Sequence, residues 1–180
     1  MFSLFPEEEY PSAYAIDYEK MAVKGIRGVI FDIDNTLVPH GAPADGRSIE
    51  LFRRLRGIGM ATCLLSNNVD SRVRPFAEDV GSDFVCSAAK PLPGKYREAM
   101  ERIGTDREHT LYVGDQIFTD ILGANLAGIR HTALVSKINR HEEIQIILKR
   151  IPEKPILLFF RLKQKILGQK EKKGKQGKKD

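Results

Sequence analysis

At 180 residues and 42 % apolar composition, the chain has room for one domain with a real hydrophobic core and at most a short appendage. The two cysteines, Cys63 and Cys86, lie in apolar runs at a spacing that suits neither a zinc site nor a disulfide framework; this points to reduced, buried thiols in a cytosolic setting. The formal charge of +5 is unevenly placed: residues 151–180 hold ten basic against three acidic side chains, which leaves the first 150 residues slightly acidic. An acidic start (Glu7, Glu8, Glu9) argues against a signal peptide, and no run approaches the ~20 apolar residues of a membrane span.

In chain order, the first strand-like run is Gly28-Val29-Ile30-Phe31, ending at Asp32. Leu51, Phe52, Leu55 and Ile58 then share a helical face, stopped by Gly57 and Gly59. A second strand, Ala61 to Leu65, ends at Ser66. Val69 to Val80 reads as a helix, with Pro75 as the argument against it. A weaker strand covers Asp83 to Cys86, followed by a helix with Tyr96, Met100 and Ile103 on one face. The fourth strand, Thr110 to Val113, ends at Gly114-Asp115. Ile117, Ile121, Leu122 and Leu126 predict the next helix, Thr132 to Val135 a fifth strand, and Ile144, Ile147, Leu148 and Ile151 a last helical face. The strands are short, continuous and without polar alternation, as buried parallel strands are. Their alternation with helices predicts an α/β, doubly wound, Rossmann-like fold: a mainly parallel five-stranded sheet with helices on both faces. Residues 1–150 form the expected domain. Residues 151–180 form a basic tail, amphipathic from Pro155 to Leu167 and low-complexity, expected to be disordered, from Gly168 onward.

The polar residues fall at strand ends. Asp32 and Asp34 follow the first strand, Ser66-Asn67-Asn68 the second, Lys90 the third, and Asp115 and Asp120 the fourth. In an open parallel sheet these ends share one edge, where ligands bind. Crowded carboxylates call for a cation, and oxygen ligands favour a hard one such as Mg²⁺. A lysine and a serine hydroxyl beside it can hold phosphate oxygens. One aspartate can attack phosphorus, and another two residues on can serve as general acid and base.

These residues resemble a known family. Phe31-Asp32-Ile33-Asp34-Asn35-Thr36-Leu37, Leu65-Ser66-Asn67-Asn68, Lys90-Pro91 and Val113-Gly114-Asp115-Gln116-Ile117-Phe118-Thr119-Asp120 are similar, in order, to the four motifs of the haloacid dehalogenase-like superfamily. The resemblance implies Asp32 as nucleophile and Asp34 as general acid/base, with Asp32, the Asp34 carbonyl and Asp115 on Mg²⁺. It implies Ser66, Asn67 and Lys90 on the phosphoryl group, with Thr36 and Asp120 in support. Taken singly, Asp32 could cap a strand end, Asp34 and Asn35 could be turn residues, Ser66 could cap a helix, Lys90 could be a solvated charge and Asp120 could sit in a first helical turn. His40 reads as a surface-loop histidine, and His109, His131 and His141 form no ligand pattern.

Neither gap, Asp34 to Ser66 or Ser66 to Lys90, has room for a cap domain, so an open site is expected, suited to a phosphate on a large or surface-bound molecule. The lead-in Lys24-Gly25-Ile26-Arg27-Gly28-Val29 resembles the capless subclass IIIA branch called YqeG-like, related to mitochondrial phosphatidylglycerophosphate phosphatases. That resemblance implies hydrolysis of phosphatidylglycerophosphate in phospholipid biosynthesis. The tail fits a peripheral position on the inner face of a membrane, on anionic phospholipid, with a helix packed on the domain or in a dimer, or a solubilising tail, as the alternatives; it lacks the aromatic interleaving of single-strand nucleic-acid binders. A soluble phosphomonoester (nucleotide, sugar or phosphorylated macromolecule) and a non-catalytic scaffold are the alternatives.

Overall fold

A computed structural model describes residues 5–138. The predicted last helical face and the whole of the basic tail lie outside these residues. Six strands make one parallel sheet: β1 (Glu8–Tyr10), β2 (Gly28–Phe31), β3 (Ala61–Leu65), β4 (Asp83–Val85), β5 (Thr110–Gly114) and β6 (His131–Val135). Their order is β1-β6-β5-β2-β3-β4. From β2 the chain winds outward through β3 to β4, then crosses back to β5 and winds the other way. The order therefore reverses between β2 and β5, and the crevice for a ligand opens at their C-terminal ends.

The five predicted strands are present and β1 is a sixth. Glu8, Glu9 and Tyr10 lie parallel to Ala133, Leu134 and Val135 at the sheet edge. Three residues, two of them charged, carry no apolar periodicity, and an edge strand pairs on one side only, so nothing in the composition marks this segment.

Alternation along the strands builds two cores. Val29, Phe31, Leu64, Leu111, Val113, Ala133 and Val135 face α1 (Tyr18–Val23), α2 (Gly46–Gly57) and α3 (Asp70–Val80). Ile30, Cys63, Leu65 and Tyr112 face α4 (Gly94–Arg102) and α5 (Leu122–Ala127). Cys63 is buried as expected; Cys86 is only partly so, because it lies just past the end of β4. Helix α2 starts at a capping box in which Asp45 Oδ1 accepts from the Ser48 N–H at 2.8 Å and Ser48 Oγ accepts from the Asp45 N–H at 2.9 Å. Helix α3 runs through Pro75 and ends at Gly81, which adopts φ 66°; burial of Val73, Phe76, Ala77 and Val80 on one face outweighs the missing donor. Only α2 separates β2 from β3, and only α3 and β4 separate β3 from α4. No cap domain is inserted among the described residues.

The predicted helix at Ile117 is different in kind. Residues Ile117–Ile121 form a wide π turn, and α5 begins only at Leu122. The apolar spacing suits either register. The wide turn carries Asp120 inward, as described next.

Candidate active site

Asp32 follows β2 directly and stays in the sheet: its N–H donates to the Val113 carbonyl at 3.0 Å. The chain then folds tightly. Ile33 O accepts from the Leu37 N–H at 2.9 Å, and Asn35 takes φ 65°, a left-handed conformation that asparagine tolerates. Beyond β3, Ser66 is buried and its Oγ accepts from the Asn68 N–H at 3.1 Å. The loop after β4 is tied to this segment three times. Ala88 N–H donates to Ser66 O at 3.0 Å, Ser87 N–H to Asn68 O at 2.8 Å, and Lys90 N–H to Asn67 Oδ1 at 2.7 Å. Asn67 thus holds the Lys90 backbone while its own side chain sits at the surface.

Lys90 is the hub. Its Nζ donates to Asp32 Oδ1 at 2.5 Å and to Asp120 Oδ1 at 2.6 Å. Tyr112, from β5, donates its hydroxyl to the same Asp120 oxygen at 2.9 Å, and the Gln116 N–H donates to Asp120 Oδ2 at 3.0 Å. Asp115 completes the group: the Thr36 hydroxyl lies 3.4 Å from its Oδ1. Its Oδ2 is buried and accepts no hydrogen bond, with Lys137 Nζ no closer than 3.9 Å. Ligand atoms of Asp32, Asp115 and Asp120 all lie within 4.8 Å of one another.

Three buried carboxylates thus share the site with one buried ammonium, which bonds only Asp32 and Asp120, and the excess negative charge shows in the proton affinities. Burial pushes Asp32 up to about 7, against Lys90 and with help from the Asp120 charge. Burial pushes Asp115 up to about 8, reinforced by Asp120 and Asp32. Burial pulls Lys90 down, but the Asp120 and Asp32 carboxylates outweigh it and its net shift is upward. An all-oxygen cluster with surplus charge and a buried, unpartnered carboxylate oxygen fits a hard divalent cation.

The comparisons agree with this constellation. A family model described as haloacid dehalogenase-like hydrolase matches residues 41–128. The chain is 33 % identical over 159 residues to a protein of Bacillus subtilis (strain 168) named "Probable phosphatase YqeG", covering 88 % of this chain and 92 % of that one. The chain belongs to the haloacid dehalogenase-like hydrolases. Its second named relative is the chloroplastic/mitochondrial phosphatidylglycerophosphate phosphatase 1 of Arabidopsis thaliana, 31 % identical over 144 residues, which cover 73 % of this chain but 40 % of that protein. Both relatives are named as phosphatases, and this hydrolase is a phosphatase of the same family. A solved structure of an uncharacterised protein from Listeria monocytogenes serotype 4b shares the fold, with a TM-score of 0.51 at 19 % identity over 74 % of this chain and 98 % of that one.

In this hydrolase Asp34 stands outside the carboxylate cluster. Its Oδ2 accepts from Asn68 Nδ2 at 2.6 Å; its Oδ1 accepts from the Gly41 N–H at 2.8 Å and from Arg72 Nη2 at 3.0 Å. His40 is exposed, with Nδ1 3.8 Å from Asp34 Oδ2, too far for a hydrogen bond. Three groups in these contacts escaped the sequence reading: Tyr112, Asn68 and Arg72. Tyr112 is a phenol in the middle of an apolar strand, two residues before the strand end, and that was its available signal. Asn68 stood inside a motif with no role attached. Arg72 is one of two arginines, with Arg74, on the amphipathic helix α3, and nothing local distinguishes it.

Proposed function

We propose that this protein is a Mg²⁺-dependent phosphomonoesterase that works through an aspartyl-phosphate on Asp32, with phosphatidylglycerophosphate as substrate. The observation that supports it most is the Lys90 ammonium bridging Asp32 and Asp120 at the strand-order reversal, beside the unpartnered Asp115 oxygen. In this reading an Asp32 carboxylate oxygen attacks phosphorus as the bond to the ester oxygen breaks, and Asp34 gives that oxygen its proton. Water then attacks the phosphorus of the acyl-phosphate and passes a proton to Asp34, freeing phosphate and the Asp32 carboxylate. Ser66, Asn67 and Lys90 hold phosphoryl oxygens, while Asp120 and Tyr112 keep Lys90 in place. Asp32, Asp115 and the Asp34 carbonyl would hold Mg²⁺, with Thr36 steadying Asp115. The ion supplies positive charge against the carboxylates and the transferring group.

Two features support a lipid-borne substrate. The site is open. Of the seven large apolar side chains exposed among the described residues, four (Val69, Ile117, Phe118 and Ile138) lie in segments at its rim. Val69 follows the Ser66 loop, Ile117 and Phe118 follow Asp115, and the Ile138 N–H donates to Asn35 O at 3.2 Å. Such a rim, with the basic residues 151–180, suits a protein peripheral on the anionic, cytoplasmic face of a membrane. No helix among the described residues is long and apolar enough to cross a membrane.

The test is phosphate release from phosphatidylglycerophosphate in mixed micelles, with Mg²⁺ or EDTA, beside Asp32→Asn. Release that needs both metal and Asp32 is expected. Asp32-dependent release from soluble phosphomonoesters alone would replace the lipid by a soluble substrate, and no release from either would overturn this assignment of substrate and nucleophile.

A further inference from the structure

We propose that Arg72 is a positioning residue: it holds the Asp34 carboxylate where a leaving-group oxygen meets it. This rests on the acid/base role of Asp34 given above. Asp34 lies on the tight loop after β2, three residues past the end of the strand, and no cap domain is inserted in that loop. An aspartate there has several open rotamers. Three donors from three different segments remove that freedom: the Gly41 N–H from its own loop, Asn68 from the loop after β3, and Arg72 from the first turn of α3.

Arg72 does more than pair a charge. The same Nη2 that reaches Asp34 also donates to Ala42 O at 2.7 Å, so one nitrogen ties α3 to both the carboxylate and the loop that carries it. The guanidinium carbon lies 5.8 Å from the Phe76 ring centre, which steadies it from behind. Its Nε is buried without a hydrogen-bond partner. The contacts that fix the guanidinium are therefore those of Nη2, to Asp34 and Ala42. The Asp34 and Arg72 side chains are mostly buried, at 12 % and 22 % exposure, so the contact is shielded from water. Arg72 touches none of Asp32, Asp115 and Asp120, and its effect is confined to the proton-transfer side of the site.

The experiment measures kcat/KM, which reports the phosphoryl-transfer step, for Mg²⁺-loaded full-length enzyme over phosphate esters of rising leaving-group pKa, from p-nitrophenyl phosphate to glycerol phosphate. An aryl oxide leaves without a proton and an alkoxide does not. Arg72→Ala is expected to lower kcat/KM for glycerol phosphate by roughly 10- to 100-fold, and for p-nitrophenyl phosphate far less. Arg72→Lys, which keeps one charged donor, recovers most of the loss. In an Asp34→Asn background Arg72→Ala adds nothing further. Mg²⁺ affinity by calorimetry and the thermal midpoint stay near wild type in Arg72→Lys, which keeps the test valid where Arg72→Ala folds poorly. An equal loss across the ester series, or losses that add to those of Asp34→Asn, would overturn the proposal. If Asp34→Asn itself shows no leaving-group dependence, the acid/base reading of Asp34 fails, and that outcome is distinct from a failure of Arg72 alone.

Discussion

Lys90 sits 2.5 Å from Asp32 and 2.6 Å from Asp120, while Asp115 has no ammonium within hydrogen-bond reach. Burial turns that imbalance into a pH dependence. Asp32 and Asp115 start from an ordinary value of 3.8 and are raised in the fold to about 7 and about 8. Between roughly pH 4 and pH 8 the metal-free native state therefore holds more protons than the unfolded chain, and its stability falls as pH rises through that window. A divalent cation favours the ionised carboxylates and opposes the trend. Thermal melts in EDTA should show a lower midpoint at pH 8 than at pH 5, with Mg²⁺ raising the midpoint more at pH 8. Titration calorimetry at pH 7 in buffers of different ionisation enthalpy should show proton release on Mg²⁺ binding. A midpoint flat in pH with no proton release would mean that both aspartates are already ionised without metal.

Among the elements, the π turn Ile117–Ile121 decides where Asp120 points. A regular helix from Ile117 would carry the same apolar residues; the wide turn instead brings Asp120 inward onto Lys90, Tyr112 and the Gln116 N–H. The inward turn needs space at the end of β5, and Gly114 provides it. A Cβ at Gly114 would lie 2.5 Å from both Cβ and Cγ of Asp120. Gly114→Ala should push Asp120 off Lys90, lower kcat by about 10-fold or more, and cost about 1–3 kcal/mol of stability in urea unfolding. Wild-type kcat with an unchanged denaturation midpoint would show that the turn absorbs the methyl group and that Asp120 is not held so closely. The helix pattern was legible in the sequence, but apolar spacing does not record which carbonyl each N–H reaches, so the π register was not.

For the whole molecule, the sheet order gathers the tips of β2, β3 and β5 and the loop after β4 around one crevice, and it gathers their apolar neighbours too. Val69 and Phe118 are 61 % and 68 % exposed on segments that follow Ser66 and Asp115 in the chain. On the proposed membrane role, two kinds of attraction to an anionic bilayer should separate by salt. The charge of residues 151–180 would act through a field that salt screens, whereas apolar side chains at the rim would act through burial that salt leaves intact. In sedimentation with phosphatidylglycerol-containing vesicles, deleting residues 151–180 should remove the salt-sensitive part of binding. Val69→Ser with Phe118→Ser should remove the salt-resistant part. Both variants should still hydrolyse p-nitrophenyl phosphate. Binding unchanged in both would remove the membrane argument and leave a soluble phosphomonoester as substrate.

The sequence by itself determined the alternation of buried strands and amphipathic helices, because periods of two and of 3.6 are local properties of a chain folding around a core. It also determined that polar residues follow the strands, since Asp32, Ser66, Lys90 and Asp115 each break an apolar run or follow one closely. Only the tertiary structure decided which of them touch. The Lys90 contacts reach across 58 residues to Asp32 and 30 to Asp120, and the Arg72 contact spans 38 residues to Asp34. Distances of that kind follow from strand order and from which loop packs on which, and no local pattern encodes them. The same holds for β1: its three residues become a strand only because β6 presents an unpaired edge beside them.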